Sequence, residues 1–220
     1  MFMERMSAMT PTQQYYETLA DTIIKNLKKR RMEGFYCATS EEAVETVISL
    51  LSNGGTASFG GSMTLEDTGI LDAVRGMPNI RLIDRTKASS PEEVKQMYHE
   101  ALSADYYLMS TNAITIEGEL VNVDGHGNRV AALIYGPEQV IVVAGMNKVA
   151  ANVEDAILRV HTVASPINCQ RLDRHTPCAA TGVCGNCFGP ESICSQTVVT
   201  RRSGVEDRIK VVLVGEDLGY

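Results

Sequence analysis

At 220 residues, 44% of them hydrophobic, the chain is long enough to bury one sizeable core, and we expect a single domain over residues 1–220. Its formal net charge of -7 argues against a general nucleic-acid binder, because affinity for a phosphate backbone comes from neutralisation by Lys and Arg. No run approaches the roughly 18 apolar residues of a membrane span, and the first residues lack the apolar segment of a secretory signal. We therefore expect a cytoplasmic protein that binds neither nucleic acid nor a membrane.

The first predicted element is a helix over residues 10–31. Thr10 can cap it, Pro11 suits its first turn, and apolar side chains recur at helical spacing. Its end carries the run Lys28-Lys29-Arg30-Arg31, four cations that suit the negative end of a helix dipole. We interpret this run as a solvated helix end rather than as a binding patch.

Strand and helix patterns alternate through a predicted core at residues 34–165. Apolar runs predict strands at residues 34–38, 56–59, 80–84, 105–110 and 139–145, with a returning strand at 208–214. Capped amphipathic segments predict helices between the strands, and the last of them begins at Asn152 and should end at Pro166. This alternation predicts the α/β class, a three-layer αβα architecture with a mainly parallel sheet.

Three polar loops directly follow predicted strands, at residues 60–64, 110–129 and 145–148. Ligands of such sheets bind beyond the carboxyl ends of the strands, so we expect the three loops to line one site for a small anion. A tight turn with Ser62 as a simple helix cap is the alternative for the first loop. The candidate ligand-binding residues are Gly60, Gly61, Ser62, Thr64, Asn112, Asn122, Gly127, Asn128, Arg129, Asn147 and Lys148.

The middle loop carries groups suited to acid–base chemistry. Asp124 and Glu117 are the candidate catalytic carboxylates, and the guanidinium of Arg129 could grip a carboxylate or phosphate through two N–H groups. Glu117-Gly118-Glu119 has the pattern of a hairpin tip, and we interpret Glu119 as a solvated charge there. His126 is interpreted as a surface residue.

Five of the six cysteines lie in a segment at residues 166–200. Cys178, Cys184, Cys187 and Cys194 form the pattern C-x5-C-x2-C-x6-C, with Cys169 as a candidate fifth ligand, and this pattern predicts a metal centre. Both zinc and an iron–sulfur cluster suit thiolates. A [4Fe–4S] cluster is preferred because the pattern lacks the paired C-x2-C knuckles of many zinc ribbons. Disulfides are a third interpretation, and Cys37 is interpreted as a buried strand residue.

Three segments, SFGGSMTL at 58–65, TNAITIEGELVNVDGHGNRVAALIYGP at 111–137 and VIVVAGMNK at 140–148, together resemble the lactate-utilisation (LUD) domain family. That family is similar in fold to ribose-5-phosphate isomerase, glucosamine-6-phosphate isomerase and coenzyme A transferases. The resemblance implies a part in oxidising L-lactate to pyruvate, in a system whose other components carry iron–sulfur clusters. PCAATGVCGNCFGPESIC at 177–194 is an extension that the family's short members lack.

These expectations combine into one leading hypothesis and two alternatives. In the leading hypothesis an anionic metabolite, either a carboxylate, a phosphate or a CoA ester, is held by the loops, and Asp124 or Glu117 transfers a proton. The cysteines would bind an iron–sulfur cluster, with other iron–sulfur subunits as partners and a homodimer as a compatible assembly. The alternatives are an isomerase or transferase of sugar phosphates or CoA esters with a structural zinc, and a non-catalytic ligand-sensing or assembly subunit. Whether the domain is itself an enzyme stays open.

Overall fold

The computed structural model describes residues 9–220, and its centre is a six-stranded sheet. The strands are β1 Glu33–Cys37, β2 Gly55–Phe59, β3 Ile80–Ile83, β4 Tyr106–Met109, β5 Ala113–Thr115, β6 Leu120–Asp124, β7 Gln139–Gly145, β8 Val149–Ala150, β9 Gln196–Thr200 and β10 Ile209–Val214. The α-helices are α1 Pro11–Lys29, α2 Ser40–Leu50, α3 Met63–Asp67, α4 Ile70–Arg75, α5 Pro91–Ala101, α6 Asn128–Ile134, α7 Val153–Arg159, α8 Ser165–Arg171 and α9 Pro177–Thr181. No helix among these residues is long and apolar enough to cross a membrane.

The main sheet has the order β1-β10-β7-β4-β2-β3, and every neighbouring pair is parallel. Side chains of its central strands alternate between two separate clusters of buried residues. In β10, Val211 and Leu213 enter one cluster while Val212 and Val214 enter the other. Both faces of the sheet are therefore covered, which confirms the predicted α/β fold with a mainly parallel sheet.

Each face of the sheet is covered by its own set of helices. On one face, α1 contributes Ala20, Ile23 and Leu27, and the Ala132–Leu133 pair of α6 packs beside them. On the other face, helices α2, α3 and α4 supply the apolar side chains Ala43, Val47, Leu65, Ile70, Leu71 and Val74. Burial of each large aliphatic side chain contributes about 1.5–3 kcal/mol, so the two clusters hold the three layers together.

A second, smaller sheet lies beside the first, with the order β8-β5-β6-β9. β5 and β6 form the antiparallel hairpin predicted around residues 117–119, and β9 pairs antiparallel with β6. Ala156 of α7 and Val160 pack against this sheet. Because β9 lies within residues 166–200, the cysteine-rich segment also contributes a strand to the second sheet.

The prediction that Pro166 ends the helix after Asn152 is wrong. The chain passes from α7 through a π-helical turn, Val160–Ala164, into α8, and Pro166 lies in the first turn of α8. The N–H of Ser165 donates to the carbonyl of Val160, five residues back. The wider turn resets the helical register before Pro166, whose missing N–H is tolerated in a first turn.

Candidate functional site

A cavity of about 230 Å³ opens beyond the carboxyl ends of β2, β4 and β7. These three strands are neighbours in the order β7-β4-β2, so the loops that follow them meet at one edge of the sheet. The cavity is lined from all three sides by polar groups. The sequence-predicted residues that line it are Gly61, Ser62, Thr64, Asn112, Asp124, Asn128, Arg129 and Lys148.

Four other predicted residues support this edge without lining the cavity. Gly60 packs so closely against the side chains of Arg129 and Tyr107 that an added Cβ would lie 3.2 Å and 3.3 Å from them. Asn122 is fully buried beneath the loops, and Gly127 takes a positive φ of 82° just before α6. The Oδ1 atom of Asn147 accepts a hydrogen bond from the backbone N–H of Leu218 at 3.2 Å.

Lys148 is the most unusual residue of the cavity. Only 3% of it is exposed, and its Nζ donates to Thr64 Oγ1 at 2.7 Å and to Ser110 Oγ at 3.0 Å. A lysine ammonium has three donors, so one of them remains for a ligand. No carboxylate among residues 9–220 lies within ion-pair distance of Lys148. Burial and the nearby positive charges of Arg159 and Arg129 lower the pKa of Lys148 to about 7.

Arg129 is bonded entirely to the protein. Nη1 donates to the carbonyl of Ser110 at 3.2 Å and to Asn122 Oδ1 at 2.6 Å, and Nη2 donates to Asn112 Oδ1 at 3.0 Å and to the carbonyl of Val123 at 2.8 Å. Nε lies 3.4 Å from an oxygen of Asp124. Four of these contacts are hydrogen bonds and the fifth is an ion pair, so all three guanidinium nitrogens contact protein acceptors. They favour a structural role, and the ligand-gripping role of Arg129 stays a prediction.

Asp124 lines the cavity and also anchors the start of α6. Its Oδ1 accepts from the N–H of Gly127, and its Oδ2 accepts from the N–H of Val130, both at 3.3 Å. Within residues 9–220 it is the one carboxylate in the cavity lining. Of the two predicted catalytic carboxylates, Asp124 lines this cavity and Glu117 does not.

The two glutamates of the β5–β6 turn lie elsewhere. Glu117 is exposed and lines a separate basic cleft with Lys29, Arg30 and Arg201, so it does not share a site with Asp124. Glu119 is not the solvated charge that the sequence suggested. Its side chain is 16% exposed, pairs with Arg30, the C-cap residue that follows α1, and accepts from the hydroxyl of Thr115. Arg30 therefore makes a tertiary contact and is not the solvated cation that the sequence suggested.

Several cavity residues were missed by sequence reasoning. Arg85 follows β3, the strand beside β2, and its Nη1 donates to the carbonyl of Phe59 at 2.7 Å while its guanidinium lies over the Tyr98 ring. The rule of strand carboxyl ends applies to β3 as well and could have found Arg85. Arg171 and Tyr220 also line the cavity, and no local pattern marks them as site residues.

All six cysteines are free thiols in the structure, so the disulfide interpretation is not supported. Burial raises the pKa of Cys194, and the neighbouring thiols of Cys184, Cys178 and Cys187 raise it further. Cys184 Sγ lies 3.4 Å from Nδ1 of His161. The thiols are thus neighbours, although no three His, Cys, Asp or Glu side chains in the described part of the chain are arranged to hold a metal ion.

Three residues of the cavity lining are next to these cysteines in the sequence or in contact with them: Ile193, Ser165 and Asn168. Ser165 Oγ lies 3.4 Å from Cys194 Sγ, and Asn168 precedes Cys169 in α8. A second cavity, lined by Cys187 and Cys194, shares Gly125 and His126 with the first. The cysteine segment therefore forms one wall of the candidate site.

Comparisons with known proteins place the chain in a family. A DUF162 family protein from Deinococcus radiodurans is 14% identical, with a TM-score of 0.46 over 94% of this chain and 99% of that one. The delta subunit of eIF2B from Chaetomium thermophilum is 15% identical, with a TM-score of 0.34 over 66% of this chain and 56% of that one. No curated protein matches the sequence. The LUD domain model matches residues 20–214, and the chain therefore belongs to the LUD domain family, a family related to lactate utilisation.

Proposed function

We propose that the protein takes part in the oxidation of L-lactate to pyruvate and that its cavity binds the small carboxylate. The observation that carries this proposal is Lys148, a buried cation at the cavity with one unused donor and no carboxylate partner in the described chain. An ionised ligand would supply the missing negative charge. Such a charge-assisted hydrogen bond is about twice as strong as a neutral one.

The charges around the cavity also suit an anion. Among residues 9–220, Arg85, Arg171 and Lys148 line it together with one carboxylate, that of Asp124, and Arg159 lies close enough to Lys148 to affect its pKa. The site is thus locally positive in a chain whose formal net charge is -7. A positive potential inside a cleft raises the local concentration of anions.

The size of the cavity narrows the class of ligand. About 230 Å³ lies below the range of about 300–1,000 Å³ that is typical of pockets for drug-sized molecules. A three-carbon acid suits this volume better than a complete CoA ester does. The Nδ2 of Asn112, which donates to no other group in the described chain, and the hydroxyl of Ser62 add neutral partners for its oxygens.

In this proposal Asp124 is the proton-transfer group. It is the predicted carboxylate that faces the cavity, whereas Glu117 opens onto a different surface. His126 is exposed and lines the cavity next to it, so it offers a second group for moving a proton. These residues move protons only, so another component of the lactate-oxidising system would have to accept the electrons.

Binding should depend strongly on Lys148. We expect Lys148→Met to weaken binding of lactate or pyruvate about 10- to 150-fold, because a hydrogen bond to a charged group contributes about 1.5–3 kcal/mol. Isothermal calorimetry measures the change, with Lys25→Met on the exposed face of α1 as the matched control. Lactate, pyruvate, ribose 5-phosphate and acetyl-CoA serve as separate ligands. Binding of the sugar phosphate or the CoA ester alone would replace the proposal by the isomerase or transferase alternative.

A metal centre at the cysteines is a second part of the proposal, supported by donor chemistry. Thiolates suit both zinc and iron–sulfur clusters, and five free cysteines lie between residues 169 and 194. Because the side chains are not arranged as a ligand group in the structure, no step of the proposed function passes through the metal. Its contribution when bound would be electron transfer for a cluster and rigidity for zinc.

We expect anaerobically purified protein to contain iron and sulfide and to absorb visible light. The Cys187→Ser variant should lose the iron, the sulfide and the visible absorption. Cys37→Ser is the control, because Cys37 is buried in β1 against α2 and lies outside the cysteine segment. Elemental analysis and absorption spectra check the prediction. A colourless, zinc-loaded protein would exclude electron transfer at this segment.

A further inference from the structure

The surroundings of Lys148 are those of a reactive amine. Its Nζ touches two neutral hydroxyls, of Thr64 in α3 and Ser110 after β4, rather than a carboxylate. The charged groups that act on it are Arg159 of α7 and Arg129 of α6, which disfavour its protonated form, and Asp67 of α3, which favours it more weakly. A lysine that is desolvated and lies beside other cations is a recognised form of activated nucleophile.

The protonation state of Lys148 permits nucleophilic chemistry near neutral pH. An ordinary lysine, with a pKa of about 10.4, is almost entirely protonated there and has no free electron pair. With its pKa lowered to about 7, roughly half of the Lys148 side chains carry a neutral amine at that pH. The amine also lies at the wall of the cavity, where a bound molecule would meet it.

We propose that Lys148 is a covalent site, whose Nζ forms an imine with the carbonyl carbon of a 2-oxo acid held in the cavity. The inference rests on the proposed function in one respect, that the same cavity holds a small carboxylate. It goes beyond that function by distinguishing a 2-oxo acid from a 2-hydroxy acid, because only the former has a carbonyl carbon for the amine to attack.

The reaction needs no oxidant and no further reactant. The electron pair of the neutral amine forms a C–N bond, while the π pair of the carbonyl moves to its oxygen, which takes a proton that the nitrogen loses. The resulting carbinolamine then loses its hydroxyl group and the second nitrogen proton as one water molecule, leaving a C=N bond. The hydroxyls of Ser110 and Thr64, which contact Nζ, can relay these protons.

The cavity offers different groups to the two parts of the ligand. Arg85 and Arg171 line the cavity and can share the carboxylate with the protonated form of Lys148; when Lys148 is neutral, the two guanidinium groups hold the carboxylate and the amine is free to attack the adjacent carbonyl. Asp124 is the one acid of the lining within the described chain, so it is placed to take up or return a proton during formation and hydrolysis of the imine. Exposed lysines such as Lys25 have no comparable enclosure.

Reductive trapping tests the inference on the full chain. The protein is incubated with pyruvate and cyanoborohydride, which converts an imine into a stable secondary amine, and the product is examined by intact mass and peptide mapping. We expect one adduct, on the peptide that contains Lys148, and no adduct when lactate replaces pyruvate. Modification spread equally over the exposed lysines would overturn the inference.

Binding measured in parallel separates the imine from the proposed function. If calorimetry shows that pyruvate binds and trapping gives no adduct on Lys148, the imine is wrong and the proposed function stands. If pyruvate and lactate do not bind at all, both are overturned. Lys148→Arg keeps the positive charge without a primary amine, so it should lose the adduct, whereas Lys25→Met, on the exposed face of α1, should retain both the adduct and carboxylate binding.

Discussion

Replacing Arg129 by alanine should lower the free energy of unfolding by about 3–5 kcal/mol, the cost of removing one partner of a buried ion pair. Its guanidinium joins the segment after β4, strand β6 and helix α6 through Ser110, Asn122, Val123 and Asp124. The substitution would leave these buried acceptors without donors, and burial already lowers the pKa of Arg129. Urea denaturation followed by circular dichroism measures the change.

Arg171→Ala is the matched control for Arg129→Ala. Arg171 also lines the cavity, but it is exposed, and its Nε and Nη2 donate to Asn168 Oδ1 of its own helix. We expect its removal to change stability by less than about 1 kcal/mol. A small stability loss in Arg129→Ala together with abolished anion binding would instead establish the ligand-gripping role that the sequence suggests.

The wild-type protein should gain stability relative to Lys148→Met as the pH rises from 7 to about 9, by roughly 2 kcal/mol. The pKa of Lys148 is lowered to about 7 in the folded chain, whereas an unfolded lysine titrates near 10.4. Between these values the unfolded chain binds more protons than the folded chain does. Removing protons by raising the pH therefore favours the folded state, and methionine abolishes this dependence.

Comparing the wild-type protein with Lys148→Met at two pH values isolates the contribution of Lys148 to the pH dependence of stability, because every other titrating group is present in both proteins. Lys148→Met keeps most of the volume of the side chain, so its packing against Thr64 and Ser110 changes little. Urea denaturation at both pH values gives the difference in unfolding free energy. A difference that does not vary with pH would show that Lys148 keeps an ordinary pKa, and it would also remove the chemical basis for an amine nucleophile.

The position of the cavity was predictable from local sequence, because two simple rules act together. Continuous apolar runs such as Val140–Ala144 mark buried parallel strands, and the residues just beyond their carboxyl ends meet at one edge. Both rules need only the neighbouring residues in the chain. They correctly bring residues 61–64, 110–112 and Lys148 to one cavity.

The roles of individual side chains were less predictable, because their partners are distant in sequence. Glu119 is paired with Arg30, 89 residues away, and nothing in the hairpin pattern announces that contact. Arg129 follows a strand and a glycine-rich turn, as a ligand-binding arginine would, yet its three guanidinium nitrogens contact protein acceptors that come together only after folding. Likewise, the helical pattern after Asn152 cannot show that a π turn will accommodate Pro166.

The strand order also determines how late this protein can complete its fold. Edge strand β1 pairs with β10, so Glu33 lies opposite Lys210, and β10 also bridges β1 to β7. Until β10 pairs, edge strand β1 has no ladder to the other four strands, β7, β4, β2 and β3. Closing so long a loop carries a large entropic cost, and contacts of such high sequence separation slow folding. During synthesis, the gap between β1 and β7 in the main sheet therefore stays unfilled until the short strand β10 has been made.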